Sequence, residues 1–175
     1  MEETQIERPE EPGLRRANWF ALLAFVLAAT SLITPWWGLN ATLDGVSGDL
    51  VEPVWLWDQT GEVARVWAQW LTIALLALAI LVLFFRVAAS SWRHEPARFR
   101  RDMGRSTLVL LAACASCWLW PVEFPFWGSR SYVDNVTGNP SLVSGAPHVG
   151  WEIAVVAMLA AAVAWWLSKP GKPSV

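Results

Sequence analysis

The sequence predicts an all-α integral membrane protein, a four-helix transmembrane bundle with a small extracytoplasmic β element formed by its two outer loops. Of its 175 residues, 55% are hydrophobic and 16% are charged, whereas about a quarter of the residues in a soluble domain are charged. The apolar residues are gathered in four blocks, and each is close to the roughly 20 residues that a helix needs to cross a bilayer. Most of the 14 tryptophans lie near the ends of these blocks, as indole rings do at a membrane interface.

Residues 1–17 form a polar leader with five Glu and three Arg, which we expect to be a disordered cytoplasmic tail. The first predicted span, 18–37, contains no charged residue. A cleaved signal peptide is the alternative, because Arg15 and Arg16 precede the apolar run. The hydrophobic region of a signal peptide has about 7 to 15 residues and ends at small residues. This run is longer and ends in Thr-Pro-Trp-Trp, so we interpret it as a span.

The later spans are predicted from three further apolar blocks, at 66–85, 106–124 and 149–167. The third block reaches full length only if it continues past Pro121 and includes Glu123. Both residues would then lie at the outer interface, where a helix can end and a carboxylate can reach water. Residues 169–175 form a second cytoplasmic tail, so the predicted membrane domain covers 18–168.

The basic residues predict the orientation, because short cytoplasmic loops carry an excess of Lys and Arg. Eleven of the 13 basic residues lie before the first span, between the second and third, or after the fourth, and only Arg65 and Arg130 lie on the other side. We therefore expect a multi-pass protein of the cytoplasmic (plasma) membrane with both termini in the cytoplasm. The inner loop, 86–105, could also form an amphipathic basic segment that contacts anionic headgroups through Arg93, Arg98, Arg100 and Arg101. A role in topology alone would equally account for these charges.

Two outer segments are long enough for additional structure. The first, 38–65, has turn signals at Asp44-Gly45 and Ser47-Gly48, followed by an apolar stretch at 50–57 that is typical of a strand. The second, 128–148, predicts a hairpin between Ser131–Val133 and Ser141–Val143. Together they predict the small outer β element.

Tryptophan placement singles out one pair of residues. We expect the following indoles at the outer interface: Trp36, Trp37, Trp67, Trp70, Trp118, Trp120, Trp127 and Trp151. Trp19, Trp165 and Trp166 are expected at the inner one. Trp55 and Trp57 lie far from both, and in a strand they would share one face with Pro53. We interpret these three residues as a binding surface, the Trp55/Trp57 patch. Packing of this face onto the bundle is the alternative.

The charged residues exclude some function classes. None of them has to lie at mid-membrane, which argues against a pump or an ion-coupled transporter. The two histidines, His94 and His148, fall on opposite sides of the membrane, so we expect no metal site and no cofactor. Asn40-Ala41-Thr42 and Asn135-Val136-Thr137 match the N-glycosylation pattern on the predicted outer side.

Cys114 and Cys117 form the one motif that suggests an enzyme. Positions i and i+3 share a helix face, and vicinal thiols of this kind exchange disulfides in small four-helix enzymes that reduce quinones. However, the chain has only two cysteines, and both lie inside an apolar block. The other interpretation is that they are small residues that permit close helix packing.

The pattern resembles the claudin and peripheral-myelin-type tetraspan superfamily. Pro35-Trp36-Trp37 ends the first span, Trp55-Leu56-Trp57 lies in the first outer loop, and Gly150-Trp151 opens the fourth span. The resemblance implies an outer sheet on a four-span bundle, although this chain lacks the family's paired first-loop cysteines. We expect a non-enzymatic protein that acts through its outer loops, in self-assembly or as an accessory subunit of a membrane complex. A membrane thiol/quinone oxidoreductase is the alternative. The expected partners are the lipid bilayer and other membrane subunits or a second copy, and no nucleic acid.

Overall fold

The described part of the chain contains four helices, as predicted: α1 (Pro12–Leu32), α2 (Val63–Ala88), α3 (Pro96–Ser116) and α4 (Val149–Leu167). The computed structural model describes residues 12–43, 46–56, 63–88, 96–117, 129–133 and 140–169. Within these residues, two helical segments are long and apolar enough to cross a membrane, Trp67–Ala88 of α2 and the whole of α4.

Helix α1 differs from the predicted first span at both ends. It begins at Pro12, so residues 12–17, predicted to be disordered, are helical. Proline suits the first helical position because the amide hydrogen that it lacks would have no partner there. The helix ends at Leu32 rather than at Trp37. Pro35 disfavours helical geometry in the residue before it, and Trp37 already belongs to a strand.

Helix α3 corrects the prediction of an inner loop at 86–105. The helix begins at Pro96, so Arg98, Arg100 and Arg101 are helical, whereas Arg93 lies outside the described residues. The reason is amphipathic spacing, because Phe99 and Met103 pack into the core one turn apart. Helix α2 extends the predicted span at both ends, α4 has the predicted bounds, and the predicted continuation of the third span to 124 lies outside the described residues.

Alanine residues form the contact between α1 and α4, which pack against each other. Both helices bury small side chains at helical spacing, and we call this contact the alanine seam: Ala17, Ala21, Ala24 and Ala28 of α1, with Ala154, Ala157, Ala161 and Ala164 of α4. Small residues let two helix backbones approach closely. Ala157 and Ala161 are both fully buried.

A four-stranded antiparallel sheet joins the two segments between helices. Its strands are β1 (Trp37–Leu43), β2 (Val46–Val54), β3 (Ser129–Val133) and β4 (Pro140–Pro147), in the order β2-β1-β4-β3. The predicted hairpin segments fall within β3 and β4, which pair with each other. Ser47-Gly48, predicted as a turn, is instead part of β2. Strand β1 pairs with both β2 and β4, so it joins the two hairpins into one sheet.

The bundle has two chemically different ends. At the sheet end, α1 runs into β1 and β4 runs into α4, and the backbone amide of His148 donates a hydrogen bond to the carbonyl of Trp36. At the opposite end, which we call the basic end, the start of α1 contacts the end of α4 at Gly13 and Leu167. Arg86 near the end of α2 pairs there with Asp102 in α3.

Candidate functional site

Trp36 connects the helices to the sheet and is fully buried. Its indole Nε1 donates a hydrogen bond to the carbonyl of Ser31 at 2.7 Å. The amide of Gly150 donates to the carbonyl of Pro35 at 2.8 Å, which satisfies one of the amides that every helix N-terminus leaves without an intrahelical partner. Its ring is enclosed by the chain itself, and its position at the outer membrane interface stays a prediction.

Gly150 is the residue that allows this junction between α1 and α4. A Cβ atom at position 150 would lie 2.5 Å from Cδ1 of Trp36 and 2.7 Å from the carbonyl oxygen of Pro35. Backbone oxygens cannot move aside as a flexible side chain can. Packing therefore explains why glycine is required at position 150 of the Gly-Trp pair noted in the sequence. Trp151, the other residue of the pair, makes a separate contact.

That second contact links α4 to the cysteine pair. Trp151 is half-buried and donates a hydrogen bond from its indole Nε1 to the carbonyl of Cys114 at 3.3 Å. Cys114 and Cys117 are both free thiols, and both are buried. A disulfide exchange requires a second sulfur to reach the thiol, so burial favours the interpretation of these residues as packing elements.

Buried polar side chains lie between α2 and α3, and the sequence analysis did not assign them a role. The hydroxyls of Thr72 and Ser116 are 2.6 Å apart, and Ser116 also donates to the carbonyl of Ala113. Gln69 precedes Thr72 by one turn and is 2% exposed, and its Nε2 has no hydrogen-bond partner. The sequence signal that could have identified these residues is the helical spacing of Gln69 and Thr72 within an otherwise apolar segment.

The Trp55/Trp57 patch is only partly described. Strand β2 ends at Val54, so Pro53 lies in the strand whereas Trp55 follows it. The strand geometry predicted to align both indoles therefore does not extend to Trp55. Trp55 is half-buried, and Trp57 lies outside the described residues. Between them, Leu56 is 1% exposed and attaches this segment to the core, a role that the sequence analysis missed.

The two glycosylation motifs fall in different places. Asn40 lies in β1, where its backbone pairs with Val51 on one side and Ser144 on the other. Asn40 therefore lies in a strand and not in the surface loop that the motif implies. Asn135 lies outside the described residues.

The basic end gathers charged side chains from α2, from α3 and from the segment just beyond α4. Asp102 pairs with Arg86 and lies 3.9 Å from Arg105. Arg100 on α3 has its guanidinium carbon 5.4 Å from the ring centroid of Trp165 on α4. The ammonium of Lys169 lies 5.6 Å from the same centroid. Of the predicted basic residues, the structure thus places Arg100 beside α4.

No group of three or more metal-ligating side chains is present among the described residues. His148 precedes α4 at the sheet end, and His94 lies outside the described part of the chain. Comparison of the chain with known protein families, curated proteins and solved structures gives no match.

Proposed function

We propose that this chain is a four-span membrane protein whose sheet lies outside the cytoplasm and serves as an assembly surface. One observation carries the membrane part of this proposal. All four helices direct large apolar side chains outward, where a soluble protein places mostly polar ones. Trp19, Trp67 and Leu108, on three different helices, are 65%, 72% and 66% exposed.

This arrangement fits a lipid environment because lipid chains are as apolar as leucine. Water would penalise the exposed surface of α1, α2, α3 and α4 alike, since each has outward-facing large side chains. Helix α4 makes the contrast plain, because Val156 and Leu159 face outward while Ala157 and Ala161 are fully buried. Four spans require α1 and the second half of α3 to cross the bilayer together with α2 and α4.

The charges support an orientation with both termini in the cytoplasm. Described basic residues cluster at the basic end of the bundle, at Arg15, Arg16, Arg86, Arg98, Arg100, Arg101, Arg105 and Lys169. At the sheet end, the described basic residues are Arg65 in α2 and Arg130 in β3. Because positive charge is retained in the cytoplasm, the sheet would face outward.

The sheet is the proposed surface for assembly with a second copy or with another membrane subunit. It combines the two outer segments into one unit, and the junction at Trp36 and Gly150 fixes it to the bundle. Trp55 follows edge strand β2, and aromatic residues of this kind often dominate protein interfaces. The resemblance to claudin-type tetraspans remains a prediction.

Single introduced cysteines test the membrane placement. In a chain with Cys114→Ala and Cys117→Ala, Asp44→Cys between β1 and β2 should react with an impermeant maleimide in intact cells. Ser91→Cys, between α2 and α3, should react only after the cells are permeabilised. Labelling of Ser91→Cys from outside would contradict the orientation, and loss of the protein in an alkaline wash of the membranes would contradict membrane insertion.

Removal of both patch indoles tests the assembly surface. Wild-type copies carrying donor and acceptor dyes should show energy transfer in liposomes, or the gently solubilised protein should retain a copurifying subunit. Trp55→Ala with Trp57→Ala should abolish this association, whereas the control, Trp19→Ala with Trp166→Ala, removes two indoles from the opposite end and should preserve it. Unchanged association in the first variant, or none in the wild type, would refute the proposed surface.

A further inference from the structure

Two cationic side chains from different parts of the chain contact the ring of Trp165 at the basic end. Arg100 reaches it from the start of α3 and Lys169 from just beyond α4, with distances of 5.4 Å and 5.6 Å to the same ring centroid. Both distances are within the range of a cation-π contact. Two like charges that share one ring repel each other, so this arrangement favours the approach of an anion.

Among the described residues, the local carboxylate does not neutralise this pair. Asp102 is the one acidic residue of α3, and it is engaged by Arg86 and faces Arg105 at 3.9 Å. The described ion pairs bring no carboxylate to Arg100 or Lys169. Their positive charge is therefore available to a ligand.

The position of Arg100 near the start of α3 also favours binding of an anion. Acidic residues stabilise the first turn of a helix because the helix dipole is positive there. Helix α3 has no acidic residue in its first turn and instead carries Arg98, Arg100 and Arg101 within its first two turns. This sequence is unfavourable for the helix in isolation, and a bound anion would offset it.

The ring of Trp165 lies close to the backbone of α3 at Gly104. A Cβ atom at Gly104 would lie 3.3 Å from both Cδ1 and Nε1 of Trp165, so the glycine leaves room for the indole against α3. Trp165 nevertheless remains 39% exposed. A partly exposed indole at the level of the predicted inner interface suits a lipid headgroup, because its apolar edge can lie beside acyl chains while the two cations reach the phosphate.

We propose that Arg100, Lys169 and Trp165 form a binding site for the phosphate of an anionic phospholipid in the inner leaflet. Arg100 supplies a planar fork of donors that matches phosphate oxygens, and Lys169 supplies a second, mobile charge. The indole contacts the glycerol and the first acyl carbons. This inference rests on the proposed membrane placement, since the lipid must be able to reach the basic end.

Lipid retention by the purified full-length protein tests the site. Native mass spectrometry in neutral detergent would compare phosphatidylglycerol with phosphatidylcholine at equal concentrations. Each nearby basic residue contributes about 1 kcal/mol to binding of an anionic lipid surface, so two residues in one site should give about a thirtyfold preference for phosphatidylglycerol. Arg100→Gln with Lys169→Gln should abolish this preference, and Trp165→Leu should weaken it with both cations still present.

A matched control separates a site from general electrostatic attraction. Arg15→Gln with Arg101→Gln removes the same charge from exposed positions at the same end and should preserve the preference. Equal losses in the two double variants would overturn the proposal, because diffuse charge would then suffice. Displacement of the lipid by millimolar glycerol phosphate would also overturn it, because the site would then bind free phosphate.

The alkaline wash and maleimide labelling separate this inference from the proposed function. A wild-type protein that inserts in the expected orientation but binds both lipids equally would refute the lipid site alone. A wild-type protein that fails to insert would refute the membrane placement, and with it the basis of the site.

Discussion

At the residue scale, glycine and tryptophan act together at the junction of α1 and α4. The ring of Trp36 occupies the space that a side chain at position 150 would need, and its Nε1 is satisfied by the carbonyl of Ser31. A buried indole nitrogen without a partner would cost stability. The pair therefore requires the smallest residue at one position and a hydrogen-bonding aromatic residue at the other.

Replacement of the glycine tests this requirement. Gly150→Ala should destabilise the protein by about 3 kcal/mol, because overpacking a site bounded by backbone forces the two helices apart. Unfolding in detergent micelles would measure the change. Gly13→Ala is the matched control, since its Cβ would meet the carbonyl of Leu167 at an ordinary 3.4 Å. A tolerated alanine at position 150 would show that the junction is looser than these distances indicate.

Cys114 and Cys117 each contribute a small buried side chain to the helix packing. Cys114→Ala with Cys117→Ala should preserve insertion and self-association and should cost less than about 1.5 kcal/mol of stability, since the volume change is small. The same unfolding and energy-transfer measurements would detect any change. Loss of quinone reduction or of disulfide formation in a client protein would instead support the oxidoreductase alternative.

At the element scale, α2 and α3 are tied at both ends by polar contacts. The hydroxyl pair of Thr72 and Ser116 links them toward the sheet end, and Arg86 pairs with Asp102 at the basic end. The side chains of that ion pair are only 14% and 12% exposed, so removing one partner would leave the other charge poorly solvated. Polar contacts at two levels fix the register of two helices whose apolar surfaces alone would allow sliding.

Breaking the ion pair between Arg86 and Asp102 should therefore destabilise the protein more than removal of a surface charge does. Asp102→Asn should destabilise the protein by about 2 kcal/mol, because Arg86 keeps its charge and loses its carboxylate. Arg105→Gln, at a side chain that is 68% exposed, should change stability by less than about 0.5 kcal/mol, as at other exposed pairs. Unfolding in detergent micelles would measure both variants. Equal effects in the two would mean that the pair behaves as a surface contact.

At the scale of the whole molecule, the helices of the bundle pack in two different ways. Alanine lines the α1–α4 contact, while leucine, phenylalanine and tryptophan cover the outer surface. This contact therefore depends on close backbone approach between helices, whereas α2 and α3 also bury large side chains such as Leu76, Leu83 and Phe99. Its stability should respond to mutation in the opposite sense to that of a soluble domain.

Two substitutions within one turn of α4 test this reversal. Ala161→Leu should destabilise the protein by about 3 kcal/mol, because the alanine seam has no room for the larger side chain. Leu159→Ala, at a position 54% exposed, should be nearly neutral in a bilayer because lipid replaces the lost contacts. Unfolding in lipid bicelles would measure both. A costly Leu159→Ala beside a tolerated Ala161→Leu would indicate that α4 packs with its other face inward.

The sequence by itself determined the four described helices and the approximate places of β2, β3 and β4, whereas β1 was not predicted. These follow from local patterns, because long apolar blocks and turn residues act over neighbouring positions. Position 114 could likewise be assigned to packing from its apolar neighbours. The end of α1 and the start of α3 were harder to predict from the sequence. Pro35 ends α1 early, and amphipathic spacing at Phe99 and Met103 starts α3 inside a charged segment.

Only the tertiary structure decided how distant segments meet. Trp36 carries the same local signature as an interfacial indole, yet contacts with Gly150, far along the chain, bury it completely. The joining of two outer segments into one sheet, the hydroxyl pair of Thr72 and Ser116, and the sharing of Trp165 by Arg100 and Lys169 are all long-range contacts. Such contacts depend on helix rotation and register, which hydropathy leaves open because many rotations bury equal apolar area.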